Sequence, residues 1–292
     1  MIVGLLVVLI SAIGYTVASL FLKAALGRGA TANQLNLCVN LALALVVQPL
    51  WFFDRPEIPN APMWQPIACC LCFFIGQLFT FAALAHGDVS VATPMMGAKV
   101  IFVTVLNAVI FQLPISLRWW VAAGIASLAV ALITGGGGRP GAKSVVKTAL
   151  LALSSAFFFS LADVLVQHWG NASDELVFLP VMFGTVGLFS ILYYLVLDRG
   201  AFVWKPSARG LLLFGAVLLG LQAIGMFLGI VWSGDATAAN VMYATRCIWA
   251  VVAAWSAGHM LGLRDAEVGK GVMGVRLLGA ILLFSAVILI LI

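Results

Sequence analysis

The sequence predicts an all-α membrane protein: ten transmembrane helices, arranged as two inverted five-helix repeats around a central cavity. Three observations carry that expectation. Of 292 residues, 64% are hydrophobic and 9% charged, with a mean hydropathy of +1.16, whereas soluble globules carry about 25% charged residues. Ten apolar runs approach the ~20 residues that a bilayer crossing needs. One stretch of sequence occurs twice, about half a chain apart.

The runs lie near 2–22, 32–53, 64–85, 88–112, 118–135, 147–168, 175–197, 208–232, 235–258 and 271–291, each bracketed by charges, prolines or glycines. Met1-Ile2-Val3-Gly4 lacks a positive charge and the apolar run continues past Leu20, longer than a signal-peptide core, so the first run is expected to be retained as a helix. Five runs precede Gly135-Gly136-Gly137-Gly138-Arg139-Pro140-Gly141 and five follow it. The expected division is therefore a first repeat over 1–134, a glycine-rich linker over 135–146 and a second repeat over 147–292. The linker resembles a phosphate-binding loop only superficially. Ala142 intervenes between Gly141 and Lys143, and no strand precedes it.

The duplicated stretch runs from Gly87 to Lys99 and again from Gly234 to Arg246, with a constant offset of 147 residues and no gap. In each copy a Gly-Asp turn opens an apolar helix, and a cation follows eleven residues after the Asp. Asp54-Arg55 and Asp198-Arg199 close the second and seventh runs, and Gln77 and Gln222 sit within the third and eighth. An odd number of helices per half puts the second half into the membrane upside down. Inverted repeats place ligand sites near the bilayer midplane, between the halves. Gly14-x-x-x-Ala18, Gly225-x-x-x-Gly229 and Ala253-x-x-x-Ala257 offer small residues for close helix packing.

Lys99 and Arg246 are the principal candidates for chemistry. A charge at mid-helix costs at least about 2.5 kcal/mol in lipid, so two cations at equivalent depth point to a shared cavity. The alternative is that each snorkels or pairs with a carboxylate. Helical spacing puts Met95, Met96, Phe102 and Val103 beside Lys99, and Tyr243, Trp249 and Asn240 beside Arg246. A guanidinium fork plus an ammonium suits a carboxylate or a phosphate. Asp163 is the one carboxylate well inside an apolar run. It is expected to be a counter-ion to a cation, an acceptor for a substrate amine or proton, or half of a fixed structural pair.

Stripes at helical spacing complete the candidates: Tyr15 with Ser11 and Ser19, Asn36 with Asn40, and Gln77 with Thr80 or Phe81, with Gln222 as the counterpart of Gln77. Each stripe serves as either ligand contact or interhelical hydrogen bonding. Trp51, Trp64, Trp119, Trp120, Trp204 and Trp232 read as an interfacial belt, and His86, His168 and His259 fall at helix ends. Cys69-x-x-Cys72 has no second ligand pair, so no metal or other cofactor is expected. The net charge of +5 sits mostly in short loops, which argues for membrane topology over nucleic-acid binding. Loops 1–2, 5–6, 7–8 and 9–10 are the basic ones, which alone puts both termini outside the cytoplasm. The expected partners are a small-molecule substrate and the lipid bilayer, with the chain a monomer or a homodimer.

The five-plus-five duplication and the Lys99–Arg246 correspondence resemble the drug/metabolite transporter superfamily, in particular its two-repeat EamA-type members. The resemblance covers essentially the whole chain. It implies a cavity lined by helices one, three, four, six, eight and nine, and both termini in the cytoplasm. It also implies that Lys99 in Lys99-Val100-Ile101-Phe102 and Arg246 in Tyr243-Ala244-Thr245-Arg246 are counterparts of basic residues that hold a substrate phosphate in related branches. The chain departs from the common pattern after helix four, where Gln112-Leu113-Pro114 stands in place of a Gly-Glu pair. The implied activity is secondary transport of a small organic anion or zwitterion by alternating access, in a bacterial cytoplasmic (inner) membrane. One rival is export of neutral amino acids or amphipathic metabolites with the cations neutralised by Asp163. An intramembrane lipid-modifying enzyme is a third reading, against which stands the lack of a loop with clustered carboxylates or histidines; no catalytic activity is expected.

Overall fold

The computed structural model describes residues 1–52, 62–86, 95–112, 114–134, 142–170, 175–197, 205–257 and 270–292. Among these residues every regular element is helical: α1 (Ile2–Gly27), α2 (Ala32–Val47) with a 3₁₀ turn over Gln48–Phe52, α3 (Trp64–His86), α4 (Lys99–Ile110), α5 (Leu117–Thr134), α6 (Ala142–Leu165) with a π turn over Val166–Gly170, α7 (Glu175–Leu197), α8 (Pro206–Ser233), α9 (Ala236–Ala244), α10 (Arg246–Ala257) and α11 (Lys270–Leu291). The glycine-rich linker at 135–141, the Gly87-Asp88 turn, and the Asp54-Arg55 and Asp198-Arg199 pairs lie outside the described residues.

Among the described residues five stretches are long and apolar enough to cross a membrane: Ile2–Gly27, Ala32–Phe52, Val146–Gly170, Val177–Val196 and Pro206–Ser233. Trp64–Thr80, Lys99–Ile110, Leu117–Ile133 and Leu277–Leu291 are apolar but shorter within the described residues. The outer surface is apolar, unlike that of a soluble protein, and several polar side chains join the apolar core. Ile10, Leu45, Val109, Leu128 and Phe284 are exposed, while Asn36, Asn40, Asp163, Gln167 and Asn240 are buried. Apolar side chains outward and polar ones inward is the arrangement that a hydrocarbon solvent favours.

Local chemistry sets the helix ends. Thr31 opens α2 with a capping box: its hydroxyl accepts from the Gln34 amide, and the Gln34 side chain accepts from the Thr31 amide. Pro206 starts α8 at a position that needs no amide hydrogen. Gly234 ends α8 in the left-handed region (φ 71°), where a side chain would be strained, and its amide donates to Ile230 O and Val231 O. Asp235 then caps α9 by accepting from the Ala238 amide at 3.0 Å. The second copy of the repeated Gly-Asp is therefore a helix stop followed at once by a helix start.

Helix α1 packs along α8 and α3 along α6; these, with α5 against α11, are the most extensive pairings. Helix α2 packs on both α7 and α8, α3 also on α7, α1 on α9 and α10, and α4 on α6. Small residues permit the closest approach. At Gly229 a Cβ would run into the Val8 side chain and lie 3.0 Å from the Gly4 carbonyl oxygen. The Gly225-x-x-x-Gly229 motif thus faces α1, with Gly225 against Ser11.

Candidate functional site

Both cations begin a helix at a break. Sequence periodicity implies unbroken helices through Lys99 and Arg246, and the structure interrupts both. The Ala98 amide donates to Met95 O at 3.1 Å, three residues back, and α4 begins at Lys99. At the matching place the Thr245 amide donates to Met242 O at 3.2 Å and the Thr245 hydroxyl donates to the same oxygen at 2.7 Å, after which α10 begins at Arg246. Tightening one turn from four-residue to three-residue hydrogen bonding interrupts the α-helical ladder.

A hydroxyl from another helix fastens each break. Ser160 on α6 shares its hydroxyl proton between Lys99 O at 2.9 Å and Ala156 O at 2.7 Å, and Thr16 on α1 shares its own between Arg246 O at 3.2 Å and Ala12 O at 3.1 Å. An aromatic ring one residue before each hydroxyl lies under the cation. The Lys99 ammonium is 5.8 Å from the Phe159 ring centroid, and the Arg246 guanidinium is 5.2 Å from that of Tyr15. Arg246 also lies 4.6 Å from the Tyr243 ring. Ring quadrupoles facing a desolvated cation contribute about 2 kcal/mol or more. Tyr243 is fixed by donating its hydroxyl to Gln222 Oε1 at 2.9 Å, and Gln222 in turn donates to Leu219 O at 3.0 Å.

The two cations differ in their counter-charge. Lys99 Nζ lies 2.7 Å from Asp163 Oδ2, which also accepts from Asn240 Nδ2 at 2.7 Å. Asn240 is thus a buried support behind the carboxylate. Among the described residues no carboxylate oxygen lies within 4.0 Å of the Arg246 guanidinium.

The cations converge on one cavity of about 420 Å³, a size typical of small-molecule sites. Of the sequence candidates, Tyr15, Ser19, Asn36, Gln77, Thr80, Met96, Lys99, Asp163, Gln222, Tyr243 and Arg246 line it. Ser11, Asn40, Phe102 and Val103 do not, and neither do Asn240, Met95 and Trp249. Asn240 reaches it only through Asp163, Met95 is exposed with Met96 lining in its place, and Trp249 lies off the cavity, its buried indole N–H without a partner among the described residues. Helical side chains lean toward the N-terminus of their helix, so Arg246 reaches back over Tyr243 rather than forward to Trp249. Gln77 exchanges hydrogen bonds of 2.9 and 3.0 Å with Asn40, which also donates to Asn36 and Ser190.

The cavity reaches the end of the bundle where α1 passes into α2, past Lys23, Leu26, Leu35 and Asn36. Toward the opposite end the described side chains are close-packed. Phe73, Phe183 and Phe227 meet edge to face with centroids 5.1–6.1 Å apart. Beyond them, on the π turn after α6, Gln167 Oε1 accepts from Asn107 and from the Ala236 amide, while its Nε2 donates to Gly234 O. One side chain thereby ties α4, α6 and the α8–α9 junction together.

Sequence reasoning missed Gln167, the hydroxyls of Thr16 and Ser160, and the correspondence between α1 and α6. A signal existed. Ser11-Ala12-x-x-Tyr15-Thr16-x-Ala18-Ser19 lies over Ser155-Ala156-x-x-Phe159-Ser160-x-Ala162-Asp163 at an offset of 144 residues.

These features define a polytopic membrane protein with a cationic, mainly apolar central cavity. Residues 2–135 match the EamA-like transporter family, which is consistent with the drug/metabolite transporter superfamily. An uncharacterized transporter of Archaeoglobus fulgidus is 30% identical over 163 residues, 54% of this chain and 56% of that protein. The chain thus spans about half the length of the curated relative it matches. A protein of known crystal structure is similar at a TM-score of 0.74 and 14% identity, covering 95% of this chain and 94% of that one; the likeness is one of fold.

Proposed function

We propose that the protein is a secondary transporter that moves a small organic anion or zwitterion across a bacterial cytoplasmic membrane by alternating access. Arg246 is the fixed anchor for the ligand's carboxylate or phosphate. Lys99 completes the clamp when the ligand competes with Asp163 for its ammonium. The observation that carries this reading is a pair of cations, each at the start of a helix that follows a break, facing a single cavity. Interrupted helices at the midplane are the usual construction of such sites.

The proposed frame is two inverted five-helix repeats over 1–134 and 147–292, with α9 and α10 forming one interrupted crossing. Support comes from the helix pairings, which keep their form when halves are exchanged: α1 on α8 matches α6 on α3, α1 on α9 and α10 matches α6 on α4, and α2 on α8 matches α7 on α3. One repeat rocking against the other would close the α1–α2 end and open the Phe73–Phe227 end. The rival in which Asp163 neutralises both cations is less well supported, because the carboxylate is held by Lys99 and Asn240. Transport in proteoliposomes, screened over carboxylates, sugar phosphates, amino acids and organic cations, tests the reading. Uptake confined to anions or zwitterions and abolished by Arg246→Ala or Lys99→Ala is expected. Normal transport by both variants would overturn the clamp.

A further inference from the structure

Around the two cations, the flanking α6 and α1 residues correspond in position but differ in charge at one of them. On α6, Phe159 lies under Lys99, Ser160 holds the Lys99 carbonyl, and Asp163, one turn further on, carries the counter-charge. On α1, Tyr15 lies under Arg246 and Thr16 holds the Arg246 carbonyl. The residue one turn further on is Ser19, 144 positions before Asp163, just as Tyr15 and Thr16 stand 144 positions before Phe159 and Ser160. Ser19 lines the cavity, and its hydroxyl donates to Tyr15 O at 2.7 Å.

We propose that Ser19 is a specificity-determining residue: it leaves vacant, beside Arg246, the position that a resident carboxylate fills beside Lys99, and the transported ligand supplies that carboxylate. The inference rests on the transport reading above and narrows its substrate class. A desolvated guanidinium in an apolar cavity favours an anion strongly, and a short neutral side chain at position 19 gives the anion room. The rest of the cavity, with Phe73, Phe227, Met226 and Leu43 in its wall, suits an apolar body. The ligand is therefore a compact carboxylate with a hydrophobic or aromatic body, and its source is either a plain organic acid or an amino acid.

The test is binding to the purified full-length protein by titration calorimetry, with 3-phenylpropionate and phenylalanine as carboxylate probes and 3-phenylpropionamide as the uncharged isostere. Comparison of the two carboxylates separates organic acid from amino acid as the source. Wild type is expected to bind at least one of them and to bind the amide at least tenfold more weakly. Ser19→Asp should bind at least tenfold more weakly than wild type, because the new carboxylate occupies the place of the ligand's. If Ser19→Asp does not fold, Ser19→Cys is purified and capped either with an anionic sulfonatoethyl methanethiosulfonate or with the neutral hydroxyethyl reagent, with wild type treated in parallel. Loss with the anionic cap alone supports the proposal. Unchanged affinity in Ser19→Asp, or equal effects of the two caps, overturns it. If Arg246→Ala loses binding while Ser19→Asp keeps it, only the role of position 19 fails; if Arg246→Ala also binds normally, the transport reading itself fails.

Discussion

Lys99 and Asp163 form an ion pair at 2.7 Å inside the bundle, with Asn240 donating to the same carboxylate oxygen. The pair divides the cavity's charge unevenly. One cation is satisfied by the protein, and the other lies over two tyrosine rings with no carboxylate within 4.0 Å among the described residues. A ligand anion meets least competition at Arg246.

Asp163→Asn removes the counter-charge and leaves Lys99 facing the cavity alone. Breaking a fully buried pair costs about 3–5 kcal/mol; with 17% of the Lys99 side chain exposed to the cavity, the expected cost is about 2–3 kcal/mol. Thermal unfolding of purified protein should show a lower midpoint, with an anionic ligand restoring part of the loss. An unchanged midpoint would mean that the pair contributes little.

Tyr243 acts through its ring and through its hydroxyl, and the two are separable. Tyr243→Phe keeps the face over Arg246 and loses only the hydrogen bond to Gln222, so carboxylate affinity should change by no more than about threefold. Tyr243→Leu loses the ring and should weaken binding further, in line with about 2 kcal/mol or more for a desolvated cation over an aromatic face. Equal effects of the two substitutions would assign the contribution to the Gln222 contact instead.

Gln167 links α4 to the α8–α9 junction beyond the Phe73–Phe227 cluster. Gln167→Ala leaves the Asn107 amide, the Ala236 N–H and the Gly234 carbonyl without that partner, and buried polar groups left unpaired cost about 1–3 kcal/mol each. Hydrogen exchange at Ala236 and its neighbours in α9 should accelerate at least tenfold, while the middle of α1 stays protected. Uniform acceleration along the chain would indicate global destabilisation rather than local opening.

Gly229 allows α1 and α8 to touch. Gly229→Leu would force the Val8 side chain and the Gly4 backbone away and should cost about 3 kcal/mol or more, the upper end of overpacking effects. Gly210→Ala, on the same helix but with nothing within 4 Å of the added Cβ, should leave the melting temperature unchanged or slightly raised.

Much of this architecture was legible in the chain. Composition and apolar run lengths identified a helical membrane protein, and the repeated Gly87–Lys99 and Gly234–Arg246 stretches singled out the two cations that meet at the cavity. The helix breaks were harder to read. No proline or glycine stands at Thr245; the interruption comes from a hydroxyl and an amide bonding the same carbonyl three residues back. Extending a 3.6-residue period across such a break misassigned Met95 and Trp249 to the cavity. The choice of Lys99 over Arg246 as the partner of Asp163 depends on which helices cross, and chain spacing alone leaves that open. Ser19 passed as part of a generic polar stripe because its counterpart in the other half is a different residue type.

The anchoring role of Arg246 is tested most directly by calorimetric titration of 3-phenylpropionate into purified wild type and Arg246→Ala, with 3-phenylpropionamide as control. A charge-assisted hydrogen bond contributes about 1.5–3 kcal/mol, so the variant should bind the acid roughly tenfold to hundredfold more weakly and the amide unchanged. Equal affinity of the two proteins for the acid would contradict the account.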